Sequence, residues 1–121
     1  MAKIVHFEIP VDDPERASQF YRRSLGWEIS AFDGEPYWLA VAGPAEEPGA
    51  NGALTARDEL HRAPVIVAGV EDLDRALESV RHAGGEIIQA KLAIPGVGWS
   101  AYARDSEGNV LGLFQPAPAQ E

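Results

Sequence analysis

The sequence predicts an α+β fold made of two tandem β-α-β-β-β modules, about 1–58 and 62–116, within a single domain spanning 1–121. Three observations predict it. Two short stretches carry helical apolar spacing between capping residues, each is preceded by one extended segment and followed by three, and the two copies lie at one fixed offset.

The first module opens with an extended run from Ile4 to Ile9. Asp12-Asp13-Pro14 follows, where an aspartate can accept from orphan backbone N–H groups and proline sits where a missing N–H costs nothing. Apolar residues at Ala17, Phe20, Tyr21 and Leu25 then mark one buried face, and Gly26 is a stop, so the first helix is read as Pro14 to Leu25. Extended segments run over Glu28–Phe32, Tyr37–Val41 and Gly52–Thr55. The second module repeats the plan with Val65–Val70, a helix from Leu73 to Ala83 begun by Glu71-Asp72 and ended by Gly84-Gly85, then Glu86–Ala90, Trp99–Arg104 and Val110–Phe114. Turns fall at Asp33-Gly34, Gly43-Pro44, Pro48-Gly49, Pro95-Gly96 and Glu107-Gly108-Asn109. Gly43 to Asn51 is expected to be a mobile loop and Pro116 to Glu121 a frayed tail.

An offset of 59 residues pairs Val11 with Val70, Asp13 with Asp72, Arg16 with Arg75, Ala17 with Ala76, Gly26 with Gly85 and Ile29 with Ile88. The matches include both helix starts and both stops, which points to an internal duplication.

Composition narrows the function. A chain of 121 residues buries roughly two-thirds of its unfolded surface, enough for a core without staples. There is no cysteine, which excludes disulfides, thiolate metal sites and a catalytic thiol. The balance of 10 basic against 19 acidic residues gives a net charge of −9, which repels nucleic-acid phosphates. No apolar run approaches the ~20 residues of a membrane span, and the N-terminus lacks a basic region followed by an apolar stretch, so a cytoplasmic location is expected. Neither nucleic acid nor membrane is an expected partner.

Together the paired modules, the run Asp12-Asp13-Pro14-Glu15-Arg16-Ala17 leading to Phe20-Tyr21 and Leu25-Gly26-Trp27, and Asp105-Ser106-Glu107-Gly108-Asn109-Val110 before the last strand resemble the vicinal oxygen chelate superfamily. This is the glyoxalase, bleomycin resistance and extradiol dioxygenase superfamily. The likeness extends to small bacterial glyoxalase-like proteins, with Ile94-Pro95-Gly96-Val97-Gly98-Trp99 as a further point of similarity. It implies a curved mixed sheet with a concave cleft and helices outside, and a homodimer that completes each site. It also implies four metal-ligand positions, which fall here on His6, Ala53, Val65 and Gly112. Three of these offer no donor, and a shift of one residue reaches only Pro64, Ile66, Leu111 or Leu113. The expectation is therefore no metal and no cofactor.

Strand alternation puts His6 and Glu8 on one face of the first strand and Val5, Phe7 and Ile9 on the other, toward the helices. An imidazole beside a carboxylate can serve as acid or base near neutral pH; the alternative is a cleft wall with a relic histidine. Tyr102 precedes Gly112 by ten residues, a spacing at which relatives that use metal direct a tyrosine to the site, and Ser100 and Arg104 alternate onto its face. Candidate ligand contacts are thus His6, Glu8, Ser100 and Tyr102. Trp99 and the Tyr37-Trp38 pair are read as core or interface, His61 and His82 as exposed, and no catalytic residue is assigned. The reading is a protein that binds a small, largely apolar organic molecule without a metal. The alternatives are a lyase, isomerase or dioxygenase-like enzyme built on His6, alone with an unusual metal or with Glu8 as acid and base, and an interaction domain without ligand.

Overall fold

The computed structural model describes residues 1–118. The chain divides into an N-terminal unit, Val5–Val65, and a C-terminal unit that joins Met1–Ile4 to the chain from Ile66 onward.

The first module forms β1 (Ile4–Val11), α1 (Pro14–Leu25), β2 (Glu28–Ala31), β3 (Tyr37–Val41) and β4 (Gly52–Ala56). Its strands lie in the order β2-β3-β4-β1. β2, β3 and β4 are antiparallel neighbours, and β4 runs parallel to β1. α1 starts where the Asp13 carboxylate accepts the Arg16 amide at 3.0 Å with Pro14 in the first turn. It ends at Gly26, whose φ of 70° is left-handed.

Val11, Ile29, Ala40 and Leu54 are the buried centre, with Ile9, Ala17, Tyr21, Trp27 and Trp38 packed against them. Phe7 meets Trp27 at 5.4 Å between ring centroids, so the odd residues of β1 do face the helix side as expected. The helix itself corrects the reading. Phe20 and Leu25 are 61% and 58% exposed, and the core-facing line is Ser18, which is buried, with half-buried Ala17 and Tyr21. At about 100° per residue a stripe centred on positions 17 and 21 turns position 20 outward, where Phe20 rests edge-on against Tyr21. Gly52 lets β1 and β4 meet: a Cβ there would stand 2.4 Å from the Phe7 carbonyl oxygen.

The second module forms β5 (Val65–Gly69), α2 (Leu73–His82), β6 (Glu86–Ile94), β7 (Gly98–Arg104) and β8 (Val110–Pro116). The order β5-β8-β7-β6, with β5 parallel to β8 and the other pairs antiparallel, repeats the pairing of the first module. Asp72 caps α2 through the Arg75 amide at 3.1 Å, as Asp13 caps α1. The core is Ala68, Leu73, Leu77, Ala101 and Leu113, with Val70, Val80, Ile87, Trp99 and Leu111 around it. Both modules therefore carry the expected β-α-β-β-β order, and the protein is α+β.

Several boundaries differ. β1 extends to Val11 because it pairs with β4 through Val11 and Ala56. β6 continues past Ala90 to Ile94 through two register shifts, which break the alternation that marks a strand in sequence. The tail is ordered at its start: Pro116 pairs with Gly98, and the Ala117 amide donates to the Val97 carbonyl at 2.9 Å. The rest of the expected frayed tail, residues 119–121, lies outside the described residues. Among the described residues no helix is long and apolar enough to cross a membrane.

Candidate functional site

β1 delivers His6 and Glu8 to the face opposite α1, and β3 supplies Tyr37. The Tyr37 hydroxyl lies 2.7 Å from His6 Nε2 and donates to Glu8 Oε2 at 2.8 Å. Register makes this reach possible. β4 lies between β1 and β3, and at the level of Glu8 it carries only the methyl of Ala53, which is fully buried. Tyr37 itself pairs with Thr55, two residues further along β4, so the phenol crosses β4 on the diagonal to reach Glu8.

The second Glu8 oxygen, Oε1, lies 2.7 Å from His61 Nε2. His61 Nδ1 is 2.9 Å from Asp58 Oδ1, which also accepts the His61 amide at 2.7 Å. Glu8 and His61 are each only 5% exposed, whereas the Asp58 side chain is 56% exposed. Five side chains thus form one continuous hydrogen-bonded line, from His6 through Tyr37, Glu8 and His61 to Asp58 at the surface. The segment after β4 is tied down beside it: Arg57 Nε donates to Asp12 at 3.0 Å and Arg57 Nη1 to the Arg62 carbonyl at 2.9 Å. Among the described residues no buried side-chain nitrogen or oxygen lacks a partner.

The two imidazoles are tuned in opposite directions. Burial pushes the His6 pKa below the ordinary imidazole value, and the Glu8 charge and a hydrogen bond with the Asn51 backbone oppose it without prevailing. Burial also disfavours the His61 cation, but there Glu8 and Asp58, bonded to its two ring nitrogens, outweigh it and the pKa is raised.

His61 corrects the sequence reading, which placed it on an exposed linker. It is buried because it closes onto Glu8 from 53 positions away. Tyr37, read as core or interface, is likewise part of the polar line. Asp58-Glu59-Leu60-His61 carried a local signal, since an aspartate three residues before a histidine can hold both its amide and its ring. His82 is exposed as expected. Trp38 and Trp99 pack against the two cores, Trp99 beneath the Lys91 ammonium at 5.4 Å.

The structure brings His6 and Glu8 together through Tyr37. Ser100 and Tyr102 lie in the C-terminal unit on β7, both half-buried, opposite Phe114 and Gly112 of β8. Arg104, at the end of β7, is exposed. Of the four positions at which the resemblance implies metal ligands, only His6 carries a donor atom. Ala53 and Val65 are buried hydrocarbon, and a Cβ at Gly112 would meet Val67 Cγ2 at 2.8 Å. Among the described residues no three His, Asp or Glu side chains are grouped to share one ion. That donor set does not fit a divalent transition metal, which requires three or four N, O or S ligands.

Residues 3–38 match the family described as Bleomycin resistance protein-like N-terminal. CFP32 of Mycobacterium bovis and of Mycobacterium tuberculosis, named as a candidate glyoxylase, is 30% identical over 93% of this chain. The chain spans only 44% of the length of those relatives. A methylmalonyl-CoA epimerase from Mycobacterium tuberculosis has a similar fold, with a TM-score of 0.67 at 24% identity over 95% of this chain and 88% of that one. So has a glyoxalase/bleomycin resistance protein/dioxygenase superfamily member from Vibrio splendidus, with a TM-score of 0.68 at 13% identity over 97% and 100%. With two β-α-β-β-β modules of identical pairing order, the chain has the fold of the vicinal oxygen chelate superfamily, the group of the glyoxalases, bleomycin resistance proteins and extradiol dioxygenases, and its first module is similar in sequence to the bleomycin resistance protein-like family.

Proposed function

We propose that this protein binds a small, largely apolar organic molecule beside His6 without the metal ion of that superfamily. The observation that carries the reading is the occupation of His6 Nε2 by the Tyr37 hydroxyl at 2.7 Å, with no donor at the other three ligand positions. A nitrogen that should face an ion faces a phenol instead. The His6 and Tyr37 rings lie 18° from parallel with centroids 6.4 Å apart, offering aromatic faces to a planar ligand. Glu8 accepts the Tyr37 hydroxyl at 2.8 Å and holds the phenol in place. Ser100 and Tyr102 are proposed as ligand contacts on their own unit.

Thermal unfolding of tag-free protein tests the reading, with and without chelator, with Ni, Zn, Mn, Fe(II) and Co(II), and with a panel of aromatic and aliphatic acids and amides, alongside elemental analysis. A ligand a hundredfold above its dissociation constant adds roughly 2.7 kcal/mol of native-state stability. The expected result is no stoichiometric metal, no shift with metals or chelator, and a raised midpoint with an organic ligand that His6→Ala abolishes. Stoichiometric metal that His6→Ala removes would overturn it.

A second reading, an isomerase that uses His6 and Glu8 as acid and base, draws on the continuous line from His6 to Asp58 and on the relation to a methylmalonyl-CoA epimerase. Turnover of a chiral acyl thioester, lost in His6→Ala with the fold intact, would establish it. The assembly proposed is a cytoplasmic homodimer: relatives of more than twice this length leave room for a second such domain in one chain. Light scattering that returns a monomer mass would exclude it.

A further inference from the structure

His61 and Asp58 stand outside the site that the superfamily resemblance implies, yet they end the hydrogen-bonded line that reaches His6. Donor counting along that line has a definite outcome. An ionised carboxylate only accepts, so with His61 Nε2 at 2.7 Å from Glu8 Oε1, His61 donates and Glu8 accepts. Tyr37 has one proton, and it goes to Glu8 Oε2 at 2.8 Å. The Tyr37 oxygen then turns a lone pair toward His6, so His6 Nε2, 2.7 Å away, must carry a hydrogen.

The opposite polarity is equally consistent in its atoms. A proton on Glu8 would donate to Tyr37, Tyr37 would donate to His6, and His6 Nε2 would be bare. With His6 neutral in both, the second arrangement holds one proton more than the first, taken up by Glu8 from solvent, and carries the His6 hydrogen on Nδ1 in place of Nε2. His61 decides between them, because its donation, with its other ring nitrogen held by Asp58 at 2.9 Å, favours the ionised form of Glu8.

We infer that His61, held by Asp58, is a positioning residue that acts through Glu8 and Tyr37 to keep a hydrogen on His6 Nε2, making His6 a donor toward whatever occupies its site. The chemistry this selects is a ligand with an acceptor oxygen, such as a carbonyl or carboxylate, in place of the phenol. The inference deepens the binding site proposed above. Its test uses no ligand, so the two readings fail separately.

Imidazole 15N–1H correlation spectra of the uniformly labelled full chain, at a pH where His6 is neutral, read which ring nitrogen is protonated. In the wild type, His6 Nε2 is expected to bear hydrogen; a bare Nε2 overturns the inference without any variant. In His61→Leu the hydrogen is expected to leave Nε2, while His61→Gln, whose amide can still donate to Glu8, restores the wild-type signal. An unchanged His6 signal in a folded His61→Leu protein overturns the role of His61. Asp58→Ala, at an exposed side chain, is the variant of choice if His61→Leu does not fold; it is expected to shift the His6 Nε2 resonance, and no shift counts against the inference. Tyr37→Phe cuts the line, after which the His6 signal should no longer respond to position 61; a continued response would mean another route.

Discussion

His61 presents both ring nitrogens to carboxylates while only 5% of its surface reaches solvent. Replacing it with leucine removes one partner of a buried ionic pair, for which a loss of about 3 kcal/mol is expected in urea unfolding. A loss under about 1 kcal/mol would show that the pair contributes nothing net. The pH dependence has a fixed sign. Because the folded pKa of His61 is raised, its stabilising contribution is complete below the ordinary value of 6.5 and is lost as pH rises through the folded value. The stability gap between wild type and His61→Gln should therefore be widest near about pH 6 and narrow toward about pH 9. A gap that widens with pH would show that His61 is buried neutral. None of this was legible in the sequence beyond the Asp58 to His61 spacing. His6 and Glu8 share a strand and were legible by alternation, whereas Tyr37 and His61 reach them across 29 and 53 positions. Such contacts depend on the β3-β4-β1 register and on where the segment after β4 folds back, neither of which local spacing encodes.

Elements were legible where local chemistry writes their ends. Asp13 and Asp72 cap their helices as the sequence indicates, and each fills one orphan amide at 3.0 and 3.1 Å. Asp72→Ala and Asp13→Ala should each cost about 1 kcal/mol in urea unfolding, with serine at either position recovering most of it. Equal stability of the alanine and wild-type proteins would show that water satisfies the first turn as well as aspartate does. Strand ends were less legible, because register shifts in β6 and pairing at the end of β1 are set by the partner strand. Gly52 shows the same dependence. Nothing in its neighbourhood in sequence demands glycine, but β1 passes so close that an added Cβ would meet the Phe7 carbonyl oxygen at 2.4 Å and the Phe7 ring at 2.5 Å. Backbone cannot yield as a side chain can, so Gly52→Ala should destabilise by about 3 kcal/mol, comparable to overpacking a core. It should also shift the backbone amide resonances of β1 around Phe7. An alanine variant with wild-type stability would mean that β1 and β4 part without cost.

The duplicated order also divides the apolar work between two separate cores, one in each unit. Charge is different, since it acts on the chain as a whole. Nine acidic groups are uncompensated, and among the described residues the ion pairs made by lysine or arginine lie at exposed side chains: Arg16 with Asp13 at 4.0 Å, Arg57 with Asp12 at 3.0 Å and Lys91 with Asp74 at 3.2 Å. Pairs of this kind contribute about 0–1 kcal/mol each, and salt weakens them. The repulsion among unpaired carboxylates is longer in range. At 0.01 M salt the screening length is about 30 Å, larger than a unit of this size, and near 0.15 M it falls to about 8 Å. Unfolding moves like charges apart, so repulsion destabilises the folded state most at low salt. If repulsion outweighs the pairs, the thermal midpoint should rise as sodium chloride increases from about 0.01 to about 0.3 M, and most of the rise should come below about 0.15 M. Replacing exposed Glu46 and Glu47 with glutamine should flatten that dependence. A midpoint that falls with salt would reverse the ranking and make the few exposed pairs the dominant electrostatic contribution to this fold.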